Sequence, residues 1–244
     1  MTHAKVHQRT RYPGSVDARL RGPFTPADVD DLLAWWDFSA LALSNNDPIA
    51  SASNLAGASH ALSQSTEAQR PLFKTNVKNG RAAALWDTTP NDSFAIGHSM
   101  ALGTAHTFIV VARMPAASWA NMMFLGQSGS QYELYYASNG TTIYPASHGG
   151  YDAQSHGCAL NTWYILTLTR SSTSYTLYRN ATAVTTTGST GASAFSPSHL
   201  GQFGTGGYCL RDVYIGEALI YSRAITADER GLIVASLNAK WSVY

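Results

Sequence analysis

The chain has 244 residues, and 16 Lys and Arg against 15 Asp and Glu leave a formal net charge of +1, which sets up no field to hold nucleic acid. Apolar residues make up 45% and charged residues only 13%, well under the roughly 25% charged of typical soluble domains, so Ser, Thr, Asn and Gly must make the surface. Cys158 and Cys209 are too few for a disulfide framework and are expected as free thiols, no run approaches the ~20 apolar residues of a membrane span, and the first fourteen residues lack the apolar core of a secretory signal, which predicts cytoplasmic synthesis.

Residues 1–27 hold Lys5, Arg9, Arg11, Arg19 and Arg21 against the single acid Asp17, with Pro13, Gly14, Gly22, Pro23 and Pro26 breaking any pattern. This reads as an extended arm whose five bases are candidate contacts to acidic grooves on neighbouring subunits. Residues 28–244 have the size of one β domain. Thr25 or Asp28, with Pro26 preset for a first helical position, starts a short helical turn leading into Leu32, Leu33, Trp35, Trp36 and Phe38. Asn45 to Pro48 then makes a loop. Thr107 to Met114 is β-branched and predicts a buried strand, followed by another from Met122 to Leu125. Tyr132–Tyr136 and Thr141–Tyr144 flank Asn139-Gly140, a strong two-residue hairpin signal. Residues 145–158 are loop chemistry carrying His148, Tyr151, Asp152 and His156. Trp163–Thr169 and Tyr175–Tyr178 form a second hairpin, and residues 185–207, rich in Thr, Gly and Ser, are expected as loop or irregular edge.

The stretch from Asp212 to Trp241 is the best defined. Val213 to Tyr221 is apolar on both faces, as in a strand buried inside a layered structure, and it contains Glu217. Thr226 and Glu229 have the spacing of a capping box, so a helix starts there. Ile233, Leu237 and Trp241 recur four apart, with Leu232 beside them, and predict an apolar helix face packed on the sheet.

The closing segment, a strand with one central Glu followed by Y-S-R-A-I-T-A-D-E and S-L-N-A-K-W, resembles that of concanavalin A-like (laminin-G-like) jelly-roll domains. So do the opening L-A-W-W-D-F-S-A, the Arg70-Pro71 element, Ala84 to Phe94 and the paired strands of residues 163–184, where Ala181 replaces the Gly of the usual Y-x-N-G turn. The resemblance implies an all-β fold, a concanavalin A-like jelly-roll β-sandwich, here with a C-terminal α-helix and an extended N-terminal arm. Many domains of this kind occur in virion proteins of tailed bacteriophages. The expectation is therefore a non-enzymatic virion structural protein, a capsid decoration or tail-associated subunit. Its partners would be other virion proteins and further copies of itself, without membrane or nucleic acid. The alternative is an adhesin that binds host surface glycans.

The glucanases of this superfold carry E-x-D-x-x-E on one strand, which places alternate carboxylates on one face. That motif is absent, and of Glu67, Glu133, Glu217 and Glu229 no two have such a spacing. Glu217 reads as a structural acceptor of hydrogen bonds rather than an acid catalyst. There is no G-x-S-x-G elbow, and Cys158 and His156 have no third group to orient them. No catalytic residue, metal or cofactor is expected. His148, Asp152 and His156 read as a polar loop, and Asp87, Asn91 and Asp92 offer oxygens of the kind calcium takes. Sugar binding needs an aromatic plane beside amides or carboxylates. The loop pairs of that type are Tyr151 with Asp152 and Trp119 with Asn121.

Overall fold

A computed structural model describes residues 23–88, 92–98, 100–115, 122–127, 132–136, 142–144, 146–147, 150–151, 156–189, 194–203 and 208–244. Two antiparallel eight-stranded sheets form a sandwich. One sheet runs, in spatial order, Thr182–Ser189, Ser174–Arg179, Trp163–Ser171, Ala105–Arg113, Val213–Tyr221, Arg81–Trp86 and Leu72–Lys78, with Leu32–Asp37 also paired to the 213–221 strand. The other runs His156–Gly157, Thr142–Tyr144, Tyr132–Tyr136, Met122–Gly126, His199–Leu200, Phe94–Ile96, Leu62–Ser63 and Ser51–Ala52. The all-β jelly-roll expectation holds, and so do the strands from 107, 122, 132 and 163.

The two inner faces enclose one apolar core. Phe38, Trp86 and Phe94 meet there edge to face, with Phe38 to Trp86 centroids at 5.9 Å and 89° and Trp86 to Phe94 at 5.7 Å and 86°. Such pairs add about 1 kcal/mol beyond their buried area. Asn180 takes the left-handed conformation at φ 58°, and its Oδ1 accepts from the Ile165 amide at 3.0 Å, so the turn closes with Ala181 in the place of Gly. Asn139-Gly140 lies outside the described residues, although Ile143 pairs with Tyr136 as its hairpin requires. Residues 185–207 begin as an irregular edge, one of the two forms expected for them, since Thr182–Ser189 is the outermost strand of its sheet and its pairing shifts register twice. Their first five complete the Thr182–Ser189 strand, and His199–Leu200 bridges two strands of the second sheet. Thr-rich strands at a sheet edge bury too little apolar surface to show the alternation that marks a strand in sequence.

The helix, Ala227–Trp241, lies on the outer face of the first sheet, over a second apolar core. The capping box is as expected: the Glu229 amide donates to Thr226 Oγ1 at 3.3 Å and the Thr226 amide to Glu229 Oε2 at 2.8 Å. Ile233, Val234, Leu237 and Trp241 are buried, each contributing about 2 kcal/mol by removal from water. Leu232 instead points to solvent, 54% exposed. The face turned to the sheet is centred between Ile233 and Leu237, and at 100° per residue Leu232 falls off its edge while Val234 falls on it. At the far end Ser242 turns left-handed at φ 49°, and Asn238 Oδ1 accepts the amides of Val243 and Tyr244.

The chain before the first strand also lies on this outer side. Thr25 caps the 3-10 turn Pro26–Asp28, the Tyr221 hydroxyl donates to the Pro26 carbonyl at 3.1 Å, and Ser236 Oγ donates to the Phe24 carbonyl at 3.3 Å. No described helix is long and apolar enough to cross a membrane.

Candidate functional site

The 213–221 strand changes phase in its middle. Val213, Ile215, Ala218 and Ile220 face the inner core, whereas Tyr214, Leu219 and Tyr221 face the helix. Strict alternation cannot give that set. The break is a bulge: Ile215 pairs with Ala112 and Glu217 with Val111, leaving Gly216 as an extra residue. The bulge turns Glu217 outward under the end of the helix. Gly216 also lets the helix close down, since a Cβ there would lie 2.5 Å from the Trp241 ring.

Glu217 is fully buried. Its Oε2 accepts from Trp35 Nε1 at 2.8 Å and its Oε1 from Trp241 Nε1 at 2.7 Å. Lys240 Nζ lies 2.5 Å from Glu217 Oε1 and 2.5 Å from Asp37 Oδ2, while Asp37 Oδ1 accepts from the Ser39 amide and hydroxyl. Burial pushes the Glu217 carboxyl above its usual range, and the Asp37 charge adds to this, against the pull of Lys240 and the Trp241 donor. Three donors converge on Glu217, as the sequence reading of a structural acceptor requires. Beside it opens a cavity of about 240 Å³ between the helix, the first strand and residues 24–26. Its walls include Phe24, Pro26, Trp35 and Leu237 and its polar end is Asp37, Glu217 and Lys240.

Past the C-terminal end of the helix a row of outer-face residues stays partly exposed among the described residues. Pairing places Trp163 opposite Arg113, Arg113 opposite Tyr214, Tyr214 opposite Leu85 and Leu85 opposite Leu72. All five are half-buried, so they form a shelf across five strands. The Arg113 guanidinium sits 4.2 Å over the Tyr214 ring and donates to Asp212 at 3.0 Å, and the two charged side chains are 20% and 24% exposed. Arg113 Nε has no partner among the described residues. Trp163 and Tyr214 centroids are 6.3 Å apart, and Trp163 stacks on Trp241 at 5.8 Å and 21°. An indole and a phenol flanking an ion pair can offer a sugar both an apolar plane and polar edges.

Sequence reasoning passed over this shelf because its members stand on strand periods and look like core. The aromatic loop pairs it favoured cannot be placed. Trp119, Asn121 and Asp152 lie outside the described residues, and for Tyr151 only the backbone is described, in the strand Gly150–Tyr151 paired with Ala146–Ser147. Lys5, Arg9, Arg11, Arg19 and Arg21 are likewise outside, as are His148 and Asn91. Asp87 and Asp92 do meet, the Asp87 amide donating to Asp92 Oδ2 at 3.1 Å. Asp92 is buried, and burial together with the Asp87 charge pushes its carboxyl up to about 7. Among the described residues no three His, Cys, Asp or Glu side chains gather as metal ligands. Cys158 and Cys209 are buried thiols not joined in a disulfide, and burial pushes the Cys158 thiol up to about 11, far from nucleophilic use at neutral pH.

A family profile described as the concanavalin A-like lectin/glucanase superfamily, of laminin-G type, matches residues 73–229. No curated protein matches the chain in sequence. Among solved structures, the chain is similar to domain 4 of AbnA, a GH43 extracellular arabinanase from Geobacillus stearothermophilus, in complex with arabinotriose. That likeness has a TM-score of 0.54 and 15% identity, and covers 85% of this chain and 98% of that one. The binding domain of botulinum neurotoxin serotype D is similar at TM-score 0.58 and 9% identity, over 85% of this chain and 52% of that one. Trypanosoma rangeli sialidase in complex with sialic acid is similar at TM-score 0.55 and 14% identity, over 86% of this chain and 33% of that one. The chain thus spans about a third of the sialidase, half of the toxin domain and nearly all of the arabinanase domain.

Proposed function

This chain belongs to the concanavalin A-like lectin/glucanase superfamily, and we propose that it is a carbohydrate-binding domain that holds glycans without cleaving them. The observation that carries this reading is the shelf. Trp163 gives an indole face for the apolar side of a pyranose or furanose ring, and Arg113 and Asp212 give a donor fork and an acceptor for its hydroxyls. The likeness in fold to an arabinanase domain solved with arabinotriose supports it. Support for the absence of hydrolysis comes from Asp37 and Glu217, which share one ammonium. Both Glu217 oxygens already accept indole N–H groups, which leaves little freedom for a proton shuttle.

A glycan array probed with the whole chain tests this reading. Binding to at least one glycan class is expected, with a loss of about ten-fold or more on Trp163→Ala, the scale of one stacking contact. Because Trp163 also stacks on Trp241, Asp212→Asn serves as a second variant with less effect on packing. An array without signal, or unchanged binding in both variants, refutes it.

A second reading is particle assembly, as a capsid decoration or tail-associated subunit of a virion. The distribution of charge favours it. The arm carries five bases and one acid, leaving eleven bases against fourteen acids in residues 28–244, so arm and body have opposite sign. Such a chain is suited to contact acidic neighbours through the arm. Deleting residues 1–22 would abolish incorporation into particles, and normal incorporation of the truncated chain counts against it.

A further inference from the structure

The shelf is longer than its aromatic end. Trp163 stands opposite Arg113, Arg113 opposite Tyr214, Tyr214 opposite Leu85 and Leu85 opposite Leu72, and an isolated bridge then sets Pro48 beside Leu72. Residues opposite one another share a face. The side chains from Trp163 to Pro48 therefore follow one line across the strands, and every one of them is half-buried. At the usual spacing between strands that line is about 24 Å long. A single sugar ring covers no more than a neighbouring pair of these positions, so Trp163 and Pro48 cannot touch the same ring.

The chemistry changes along the line. At one end Arg113 lies over Tyr214 and donates to Asp212 at 3.0 Å. Its Nε has no partner among the described residues, so the guanidinium keeps donor capacity for hydroxyls. At the other end Leu85, Leu72 and Pro48 offer only C–H surface. Consecutive sugars suit both ends, because each ring has an apolar face to lay down. On a half-exposed line the hydroxyls at the ring edges keep their water, and no partner is missed. Charge is decided by the same ion pair. Arg113 is the one base in the line, and Asp212 already compensates it. A carboxylated sugar would compete with Asp212 for the guanidinium and meet a like charge at close range, a cost that a neutral sugar escapes.

Resting on the carbohydrate-binding reading above, we propose that the line from Trp163 to Pro48 takes a run of consecutive neutral sugars lying across the strands. The ligand is then the interior of a glycan chain rather than one terminal acidic sugar. Trp163 and Tyr214 anchor one end of the run, Leu85, Leu72 and Pro48 support the other, and affinity is spread along the length.

Titration calorimetry of the full chain with neutral gluco-, xylo-, manno-, galacto- and arabino-oligosaccharides, each as disaccharide and pentasaccharide, tests this. In a series that binds, the pentasaccharide should bind about ten-fold or more tightly than the disaccharide, the scale of burying one further apolar side chain. Leu72→Ser should remove most of that gain and leave the disaccharide unchanged, because a disaccharide held at Trp163 does not reach Leu72. Should Leu72→Ser fold poorly, the length dependence of the unaltered chain decides alone. Equal affinity for disaccharide and pentasaccharide overturns the proposal while the carbohydrate-binding reading stands. Tighter binding of sialyllactose, lost in Trp163→Ala, does the same. Failure of every neutral series also overturns it, and the glycan array then decides whether the carbohydrate-binding reading falls with it.

Discussion

Trp241 Nε1 donates to Glu217 Oε1 at 2.7 Å, joining the last turn of the only described helix to the bulge of the central strand. The same carboxylate takes Trp35 from the first strand, so Trp35 and Trp241 share Glu217 as their acceptor. Glu217→Gln keeps the shape but turns one acceptor oxygen into a donor facing donors. Breaking a buried charged cluster in this way costs about 3–5 kcal/mol, measurable as a lower urea midpoint at unchanged slope. A loss below 1 kcal/mol would mean that the three elements are held by apolar contact alone.

Gly216→Ala places a methyl group 2.5 Å from the Trp241 ring. The ring has to move, at about 1–3 kcal/mol for an overpacked site. If the clash is the cause, Trp241→Ala and Gly216→Ala combined should be less damaging than the sum of the two single losses. Strict additivity in a double-mutant cycle argues against that cause.

Asp92 should make the protein lose stability as the medium turns from acid to neutral. Its carboxyl, pushed up to about 7 by burial and by Asp87, holds a proton in the folded chain at pH values where the unfolded chain has released it. Stability therefore falls between about pH 4 and 7 and levels off above. The raised Glu217 acts with the same sign. Asp92→Asn, which can still accept the Asp87 amide, should flatten the melting temperature over this window, with about 2–4 °C recovered at pH 8 per kcal/mol regained. A variant with the wild-type slope would remove Asp92 as the source.

Glu229 has the opposite sign. The Arg223 guanidinium and the Thr226 cap hold its carboxyl at about 2, so it stabilises the fold above about pH 4.5 and loses that contribution as pH falls towards 2. Glu229→Gln should cost about 1 kcal/mol at pH 7, in the range of a helix cap. The gap to the unaltered chain should close on acidification. A pH-independent gap in chemical denaturation would assign the loss to packing rather than charge.

How much of this was legible in the sequence follows from how local each cause is. Thr226 and Glu229 are three residues apart, and their capping box could be read directly. So could Thr25 with Pro26, and the strands whose apolar residues alternate or run. Glu217 was readable as an acceptor but its donors were not, since Trp35 is 182 residues away and the bulge that turns Glu217 outward has no sequence sign beyond one glycine. The shelf was hidden for a different reason. Trp163, Arg113 and Tyr214 become neighbours only through the register of three strands. They lie on the outer face beside the helix end at Trp241 and are only partly buried among the described residues. Leu232 was misplaced because four-residue spacing fixes a stripe but not its angular centre.

The bulge has a consequence for insertions and deletions. Substituting Gly216 strains one contact, whereas removing it takes out the extra residue and leaves Ile215 and Glu217 opposite the adjacent Ala112 and Val111, so the phase on both sides of the cut is kept. The strand behaves as two half-strands of opposite parity spliced at one residue, so a one-residue deletion at the splice keeps both faces in phase, whereas the same deletion elsewhere in the strand would exchange them.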